Sequence, residues 1–242
     1  MQDDDKQPVF KILLIVPNRE KKMYLEKSSN RRLFTYKVAY DKGVAPNPYC
    51  GVCTLAICKP KIRSAAKKED IIVGFGCGKD SGRIVYCMVV DKKLSWHEYT
   101  ELCKSDAMLR GKIPNNEFEP GDCIWISDEN GGYKCLPSWS GHGEDAYQRD
   151  VLDGKNVLLG GKFWYFGRGD QYEIILPPEL KRITPRKQGH RSNSNNPFIS
   201  DFIDFFNRVL HEKDISVGGK LGEPAEPASR QTATISSSKK CS

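Results

Sequence analysis

The chain has 242 residues, of which 38% are hydrophobic and 29% charged, so it can bury a core without disulfides or a structural metal. Its 38 lysines and arginines against 31 acidic residues give a net charge of +7, which favours a polyanionic partner only weakly. No apolar run approaches the about 20 residues of a membrane span, so we expect no contact with a membrane. Most of the nine cysteines lie in apolar stretches, which is typical of reduced thiols and predicts an intracellular protein of the cytoplasm or nucleus.

Composition also divides the chain into three parts. Residues 1–30 form an N-terminal extension with one strand-like run at residues 9–16, and residues 31–213 form the folded domain. Residues 214–242 hold almost no large apolar groups and are predicted to be a disordered tail. Within the domain, apolar runs bounded by turn residues predict strands at residues 33–40, 52–58, 71–75, 83–90, 123–127 and 156–166.

The helix signals are fewer. Pro60 is suited to the first position of a short helix over residues 60–68. Ser95 followed by Glu98 predicts a capping box at the start of a second helix. A third helix opens at Pro197 and carries one apolar stripe that must be buried. The pattern predicts an α+β fold: a mostly antiparallel curled sheet or small β-barrel with about three helices.

Basic residues surround the predicted start of the first helix. After Pro60, the free backbone N–H groups point outward at the positive end of the helix dipole, where Lys59, Lys61 and Arg63 add charge. This arrangement predicts a phosphate-binding site. A solvated basic helix face explains the same residues equally well, and phosphate contacts alone do not identify a base.

The loop at residues 41–48 is stiffened by two prolines and a glycine, so it can present side chains at little entropic cost. The amide of Asn47 offers a donor and an acceptor to a base edge, which makes it a candidate base-binding residue. Asp41 is a candidate catalytic residue. An ordinary turn, in which both side chains bond to the local backbone, is the alternative.

His142 lies between two glycines, so its ring is expected to be accessible, and acidic residues follow closely in the sequence. An imidazole beside a carboxylate can perform general acid–base catalysis, which makes His142 a candidate catalytic residue. Arg149 is a candidate nucleotide-binding residue in the same segment. A loop histidine without a catalytic role is the alternative.

Cys50, Cys53 and Cys58 invite a metal interpretation, but a structural zinc site normally needs a second pair at similar spacing. Core cysteines on a strand explain them better, so we predict no metal and no cofactor. The chain has no P-loop, dinucleotide-binding fingerprint, nucleophile elbow or kinase signature. The aromatic residues that could either stack on a base or fill the core are Trp125, Tyr133, Trp139, Trp164 and Tyr165.

The run at residues 36–48, continuing through Gly51, residues 54–63 and residues 70–76, resembles the nucleotide modification associated domain, type 2. The similarity extends over about residues 32–210, through shorter matches that include His142 and residues 149–150. Glu69 and Cys50 depart from the family pattern without removing a candidate functional group. The resemblance implies a nucleotide or nucleic-acid context and leaves the chemistry open.

The order of elements is also similar to that of PUA and EVE base-binding barrels, a fold-level analogy. We therefore carry three hypotheses. The first is a protein that binds a nucleotide or base in DNA or nucleotide base modification and acts on the base if it is an enzyme. The second is a non-catalytic reader of modified bases in DNA or RNA, and the third is a protein-interaction module.

Overall fold

The computed structural model describes residues 24–128, 131–168, 170–187 and 189–227, so the predicted strand at residues 9–16 lies outside the described residues. The strands are β1 (Leu33–Lys37), β2 (Cys53–Leu55), β3 (Ile71–Phe75), β4 (Ile84–Val89), β5 (Lys92–Ser95), β6 (Trp125–Ser127), β7 (Tyr133–Cys135), β8 (Asn156–Gly160), β9 (Phe163–Tyr165), β10 (His190–Arg191) and β11 (Gly219–Lys220). The α-helices are α1 (Pro60–Ala65), α2 (Trp96–Ser105) and α3 (Ile199–Glu212). A π-helical turn spans Gln148–Asp153.

The larger sheet has six strands in the order β10-β1-β3-β4-β9-β11. The pairs β3–β4 and β4–β9 are antiparallel, whereas β1–β3 and β9–β11 are parallel. Because successive side chains of a strand alternate between the faces, Ile71, Val73 and Phe75 point to one face and Ile72 to the other. Phe206 of α3 packs in the cluster that contains Ile71, so the apolar stripe of the last helix is buried across the sheet.

A three-stranded antiparallel sheet in the order β2-β8-β5 faces the opposite side of the larger sheet. Leu55 and Leu158 share a core cluster with Ile62 of α1 and with side chains of the larger sheet. Val157 and Leu159, on the other face of β8, pack in the cluster that contains the buried side of α2. The α+β prediction is confirmed. Within the described ranges the larger sheet is mixed, and no sheet closes into the small PUA-like barrel considered above.

The predicted strand at residues 71–75 and the predicted capping box of α2 are confirmed. The predicted strand at residues 156–166 is instead two strands, β8 and β9, which belong to different sheets. The chain crosses between the sheets at Gly160, where a Cβ atom would lie 2.2 Å from the carbonyl oxygen of Val89. Helix α1 also ends earlier than predicted, because Ala66 is extended and the N–H of Lys67 donates to the carboxylate of Asp70.

The segment after α3 is structured beyond the predicted start of the tail at residue 214. Strand β11 pairs with β9, and the N–H of Glu226 donates to the carbonyl oxygen of Asp41 at 2.9 Å. Residues from 228 onward lie outside the described residues. No helix in the part of the chain that the structure describes is long and apolar enough to span a bilayer.

We expect Phe206→Ala to lower the free energy of unfolding by about 3 to 5 kcal/mol, because large-to-small changes leave a cavity in a packed core. The Phe206 ring is fully buried, stacks on Phe202 at 5.7 Å and meets Trp164 edge-on at 5.2 Å. Arg208→Ala is the control on the same helix, because its side chain is 63% exposed. Urea unfolding measures the free energy of unfolding of both variants. A small and equal decrease in the two would contradict this packing.

Candidate active site

A cavity of about 1040 Å³ opens beside the start of α1. Four stretches of chain supply most of its wall: the end of β1 with the loop that follows it, the turn from β2 into α1, the loop that carries His142, and Gly189 with His190 at β10. Glu226, from the segment after β11, completes the wall. The cavity therefore lies where distant parts of the sequence meet.

The turn between β2 and α1 places Cys58 in this wall. Cys58 and Lys59 both have positive φ angles, 58° and 41°, a conformation that residues other than glycine adopt rarely and at an energetic cost. The backbone N–H of Cys58 donates to Oδ1 of Asp150 at 2.9 Å, which holds the turn. The strained turn carries the half-buried thiol of Cys58 into the cavity wall rather than into the core.

Cys58, His142 and Asp150 form a linear array of side chains. Sγ of Cys58 lies 3.6 Å from Nε2 of His142, and Nδ1 of His142 lies 2.6 Å from Oδ2 of Asp150. The carboxylate of Asp150 is fully buried, while the His142 ring is 15% exposed. A nucleophile, a base in contact with it and a third group that orients the base are the elements of an activated nucleophile.

The pKa values of this pair shift in opposite directions. Burial lowers the pKa of His142, but the hydrogen bonds to Asp150 and Cys58 outweigh burial and raise it to about 9. Burial raises the pKa of Asp150, but the hydrogen bonds from His142 and from the Cys58 backbone bring it below its usual value. At neutral pH His142 is therefore an imidazolium that donates to the Asp150 carboxylate.

Asp150 lies on the π-helical turn, a type of distortion that is frequent at functional sites. Nε of Arg149 donates to its Oδ1 at 3.1 Å, and the guanidinium of Arg63 approaches the same oxygen to 3.8 Å. Nη2 of Arg149 also lies 3.2 Å from Nε2 of His142, so this partly exposed guanidinium borders the array on the cavity side.

Arg63, a predicted phosphate ligand, is fully buried beneath the array and does not line the cavity. Its guanidinium donates to the carbonyl oxygens of Cys58, Asn156 and Asp150 at 2.7 to 2.9 Å. A Cβ atom at Gly154 would lie 2.0 Å from Nη2 of Arg63, so glycine is required for this close approach. Arg63 thus fixes α1 against the π-helical turn.

Lys59 and Lys61, the other two predicted phosphate ligands, do line the cavity. Nζ of Lys59 lies 4.7 Å from the centre of the Tyr36 ring and donates to the carbonyl oxygen of Lys37 at 3.2 Å. Burial lowers the pKa of Lys59. Among the described residues, the lysines and arginines of the wall are Lys37, Lys42, Lys59, Lys61 and Arg149, and its one carboxylate belongs to Glu226.

Asp41 and Asn47 belong to the loop after β1, but their side chains are buried and do not line the cavity. The buried carboxylate of Asp41 accepts a hydrogen bond from the Tyr165 hydroxyl at 2.5 Å, and burial raises its pKa. The buried amide of Asn47 donates to the carbonyl oxygen of Pro120 at 2.6 Å and accepts from Nζ of Lys112 at 2.7 Å. Both side chains hold the loop that carries Tyr40 and Lys42 into the wall.

The structure adds three residues that the sequence did not single out for the site: Cys58 as a reactive group, Tyr40 and His190. Tyr40 is 76% exposed, whereas Trp125, Trp164 and Tyr165 are buried in the core. Burial lowers the pKa of His190, as do Lys61 and Lys59 nearby. Among the described residues, no group of three or more His, Cys, Asp or Glu side chains is arranged to hold a metal ion.

We expect the His142 ring to titrate with a midpoint of about pH 9 in an NMR titration of the folded protein. The folded pKa lies above the ordinary value of 6.5, so the stabilisation from this group is fully present below pH 6.5 and is lost as the pH rises through 9. In Asp150→Asn the midpoint should fall sharply, because burial then acts without the carboxylate. An unchanged midpoint in that variant would contradict the His142–Asp150 contact.

Comparison with known proteins identifies a family whose model matches the chain. The family described as nucleotide modification associated domain 2 matches residues 30–231, a range that contains Cys58, His142, Asp150 and strand β11. No curated protein and no solved structure matches the chain. Because the match covers most of the sequence, the chain belongs to the nucleotide modification associated domain 2 family.

Proposed function

We propose that the cavity binds a nucleotide, free or within a nucleic acid, and that the protein is an enzyme that acts on its base. The observation that carries the proposal is the charge of the wall. Its described residues include five lysines and arginines and one carboxylate, beside a closely spaced Cys, His and Asp. An anionic ligand would complement this wall, and the family's association with nucleotide modification supports a nucleotide as that ligand.

The size of the cavity agrees with this ligand. Small-molecule sites commonly have volumes of about 300 to 1,000 Å³, and this cavity of about 1040 Å³ has room for a base, a sugar and a phosphate together. Lys61 is exposed and Lys59 half-buried at the α1 side, where they can pair with a phosphate. Arg149 also lines the cavity, with Nη2 3.2 Å from Nε2 of His142, so it can contact either the phosphate or the reacting group.

Recognition of the base is assigned to the loop after β1. Tyr40 offers an exposed ring at the wall, and a base can stack on such a ring whatever its identity. Asn47, whose amide is already bonded to Pro120 and Lys112, would have to lose those partners to read a base edge. In this proposal Asp41 and Asn47 therefore position the loop, and Tyr40 contacts the base.

The His142–Asp150 pair favours an enzyme over a reader of modified bases. A reader needs shape and hydrogen bonds but has no use for a histidine held against a buried carboxylate and a thiol. In this proposal His142 acts as the general acid and base. Two results together would favour the reader instead: the protein binds a polynucleotide without altering it chemically, and His142→Gln binds that polynucleotide as tightly as the wild type.

We expect Lys61→Gln to weaken nucleoside monophosphate binding by roughly 3- to 10-fold, because an exposed contact with the phosphate contributes about 1 kcal/mol. Lys68→Gln is the matched control, since it removes the same charge from an exposed position just after α1 and outside the cavity. Calorimetric titration with the common ribo- and deoxyribonucleoside monophosphates measures both. Equal affinities for the two variants would remove the phosphate role from Lys61.

We expect Tyr40→Ala to weaken nucleoside monophosphate binding by roughly 5- to 100-fold while inorganic phosphate binding is unchanged, because stacking involves the base alone. Tyr40→Phe keeps the ring and should bind like the wild type. Because the side chain is 76% exposed, the melting temperature should not move. Loss of affinity in Tyr40→Phe as large as in Tyr40→Ala would show that the hydroxyl, not stacking, makes the contact.

A further inference from the structure

We infer that Cys58 is a catalytic nucleophile that takes up an acyl group from an ester or amide as a thioester, with His142 carrying the proton and Asp150 positioning His142. The ligand is either an acylated nucleotide or an acyl donor that passes its acyl group to a nucleotide amine. This part of the inference rests on the proposed function. The chemistry of the thiol rests on the geometry of the three side chains alone.

The first support is the difference between Cys58 and the other cysteines. Four described cysteines are buried in the core: Cys53, Cys87, Cys103 and Cys123. Cys50, Cys77 and Cys135 are half-buried like Cys58. Within the described part of the chain, Cys58 is the cysteine whose sulfur contacts a histidine ring nitrogen, and it lies in the wall of the large cavity.

The second support is the direction of the array. Nδ1 of His142 faces the buried Asp150 carboxylate, so Nε2 is left to face the sulfur. Asp150 also accepts from the backbone N–H of Cys58, which fixes the sulfur and the ring with one carboxylate. A thiolate beside an imidazolium is the nucleophilic form of cysteine, and a fixed ring keeps the two in contact.

The third support is that both steps of acyl transfer need a proton carrier beside the nucleophile, and His142 can serve in both. In the first step the sulfur of Cys58 bonds to the carbonyl carbon, and the bond from that carbon to its oxygen or nitrogen leaving group breaks. The proton that His142 carries passes to the leaving group, and His142 becomes neutral. In the second step water or an amine attacks the thioester carbon and gives its proton to the neutral His142, the C–S bond breaks, and the sulfur leaves as the thiolate beside the restored imidazolium. No oxidant, reductant or metal is consumed.

Arg149 is placed to assist both steps. Its Nη2 lies 3.1 Å from Nδ1 and 3.2 Å from Nε2 of His142, and the side chain lines the cavity, so it can reach a carbonyl oxygen bound near the sulfur. A fixed guanidinium stabilises the negative charge on such an oxygen in the tetrahedral intermediate. The same side chain anchors to Asp150 through Nε, so its position is coupled to that of the array.

Alkylation by iodoacetamide tests the nucleophile without any nucleotide. We expect Cys58 to be modified at least tenfold faster than Cys50, Cys77 or Cys135 of the same molecule, as followed by peptide mass spectrometry. His142→Gln should slow Cys58 at least tenfold and leave the other three rates unchanged. These internal thiols also report on misfolding, since a loosened fold would speed them. A Cys58 rate equal to that of Cys77 in the wild type would overturn the inference.

The acyl step is tested with p-nitrophenyl acetate. We expect an acetyl group on Cys58 after acid quenching, and continued release of p-nitrophenol that Cys58→Ser slows and Cys77→Ser does not. His142→Gln should accumulate the acetylated protein or fail to form it. Acetylation spread evenly over the half-buried cysteines would overturn acyl transfer.

Protection separates this inference from the proposed function. A saturating nucleoside monophosphate should shield Cys58 from iodoacetamide and leave Cys77 unshielded. A reactive Cys58 that no nucleoside monophosphate protects would contradict the nucleotide ligand while the nucleophile stands. An inert Cys58 in a protein that binds nucleotides would contradict the nucleophile while the proposed binding site stands.

Discussion

The buried carboxylate of Asp150 is the constraint on which the site depends. A charge with no exposed surface is tolerated only when it is paired and hydrogen-bonded, and Asp150 meets this need with the His142 ring, the Cys58 backbone N–H and the Arg149 side chain. Each of these partners belongs to a segment that also lines the cavity. Satisfying one carboxylate therefore assembles the reactive groups.

Arg63 extends this constraint into the core. It is fully buried, and it donates to carbonyl oxygens on the turn before α1, on the π-helical turn and at the start of β8. Removing Arg63 would take one donor from each of these carbonyl oxygens at once, so α1 and the π-helical turn would lose their common anchor. A residue first interpreted as a phosphate ligand is thus better understood as the support beneath the reactive array.

Local signals in the sequence were sufficient where a local interaction decides the structure. The Ser95–Glu98 capping box, the β3 strand and the apolar stripe of α3 depend on residues close together in the chain, and the structure contains all three. The crossing from β8 to β9, and the parallel pairing of β1 with β3, depend on which distant strands meet. No periodicity over residues 156–166 distinguishes one long strand from two.

The residues of the site also divide into those that the local sequence indicates and those that only distant contacts reveal. His142 and Arg149 could be singled out because glycines and acidic residues surround them in the sequence, and both line the cavity. Cys58 could not, because its partners are 84 and 92 residues away and its own neighbourhood resembles a core strand. The signal that was present, a cysteine two residues before a helix that opens at Pro60, becomes meaningful only once the strained turn is seen. Spacing between single residues is a weak guide when the contact is made by the fold.

Buried polar groups explain why the cavity wall holds its shape. Lys112 is fully buried and donates to Asn47, to the Val52 carbonyl oxygen and to the Thr54 hydroxyl, which in turn donates to Asp122. Satisfied networks of this kind restrict the backbone to one arrangement, because every alternative leaves a buried group without a partner. The residues expected to contact the ligand thus divide by burial. The buried ones hold the loop and the α1 turn, and the lysines of the wall, Tyr40 and the Cys58–His142 pair line the cavity.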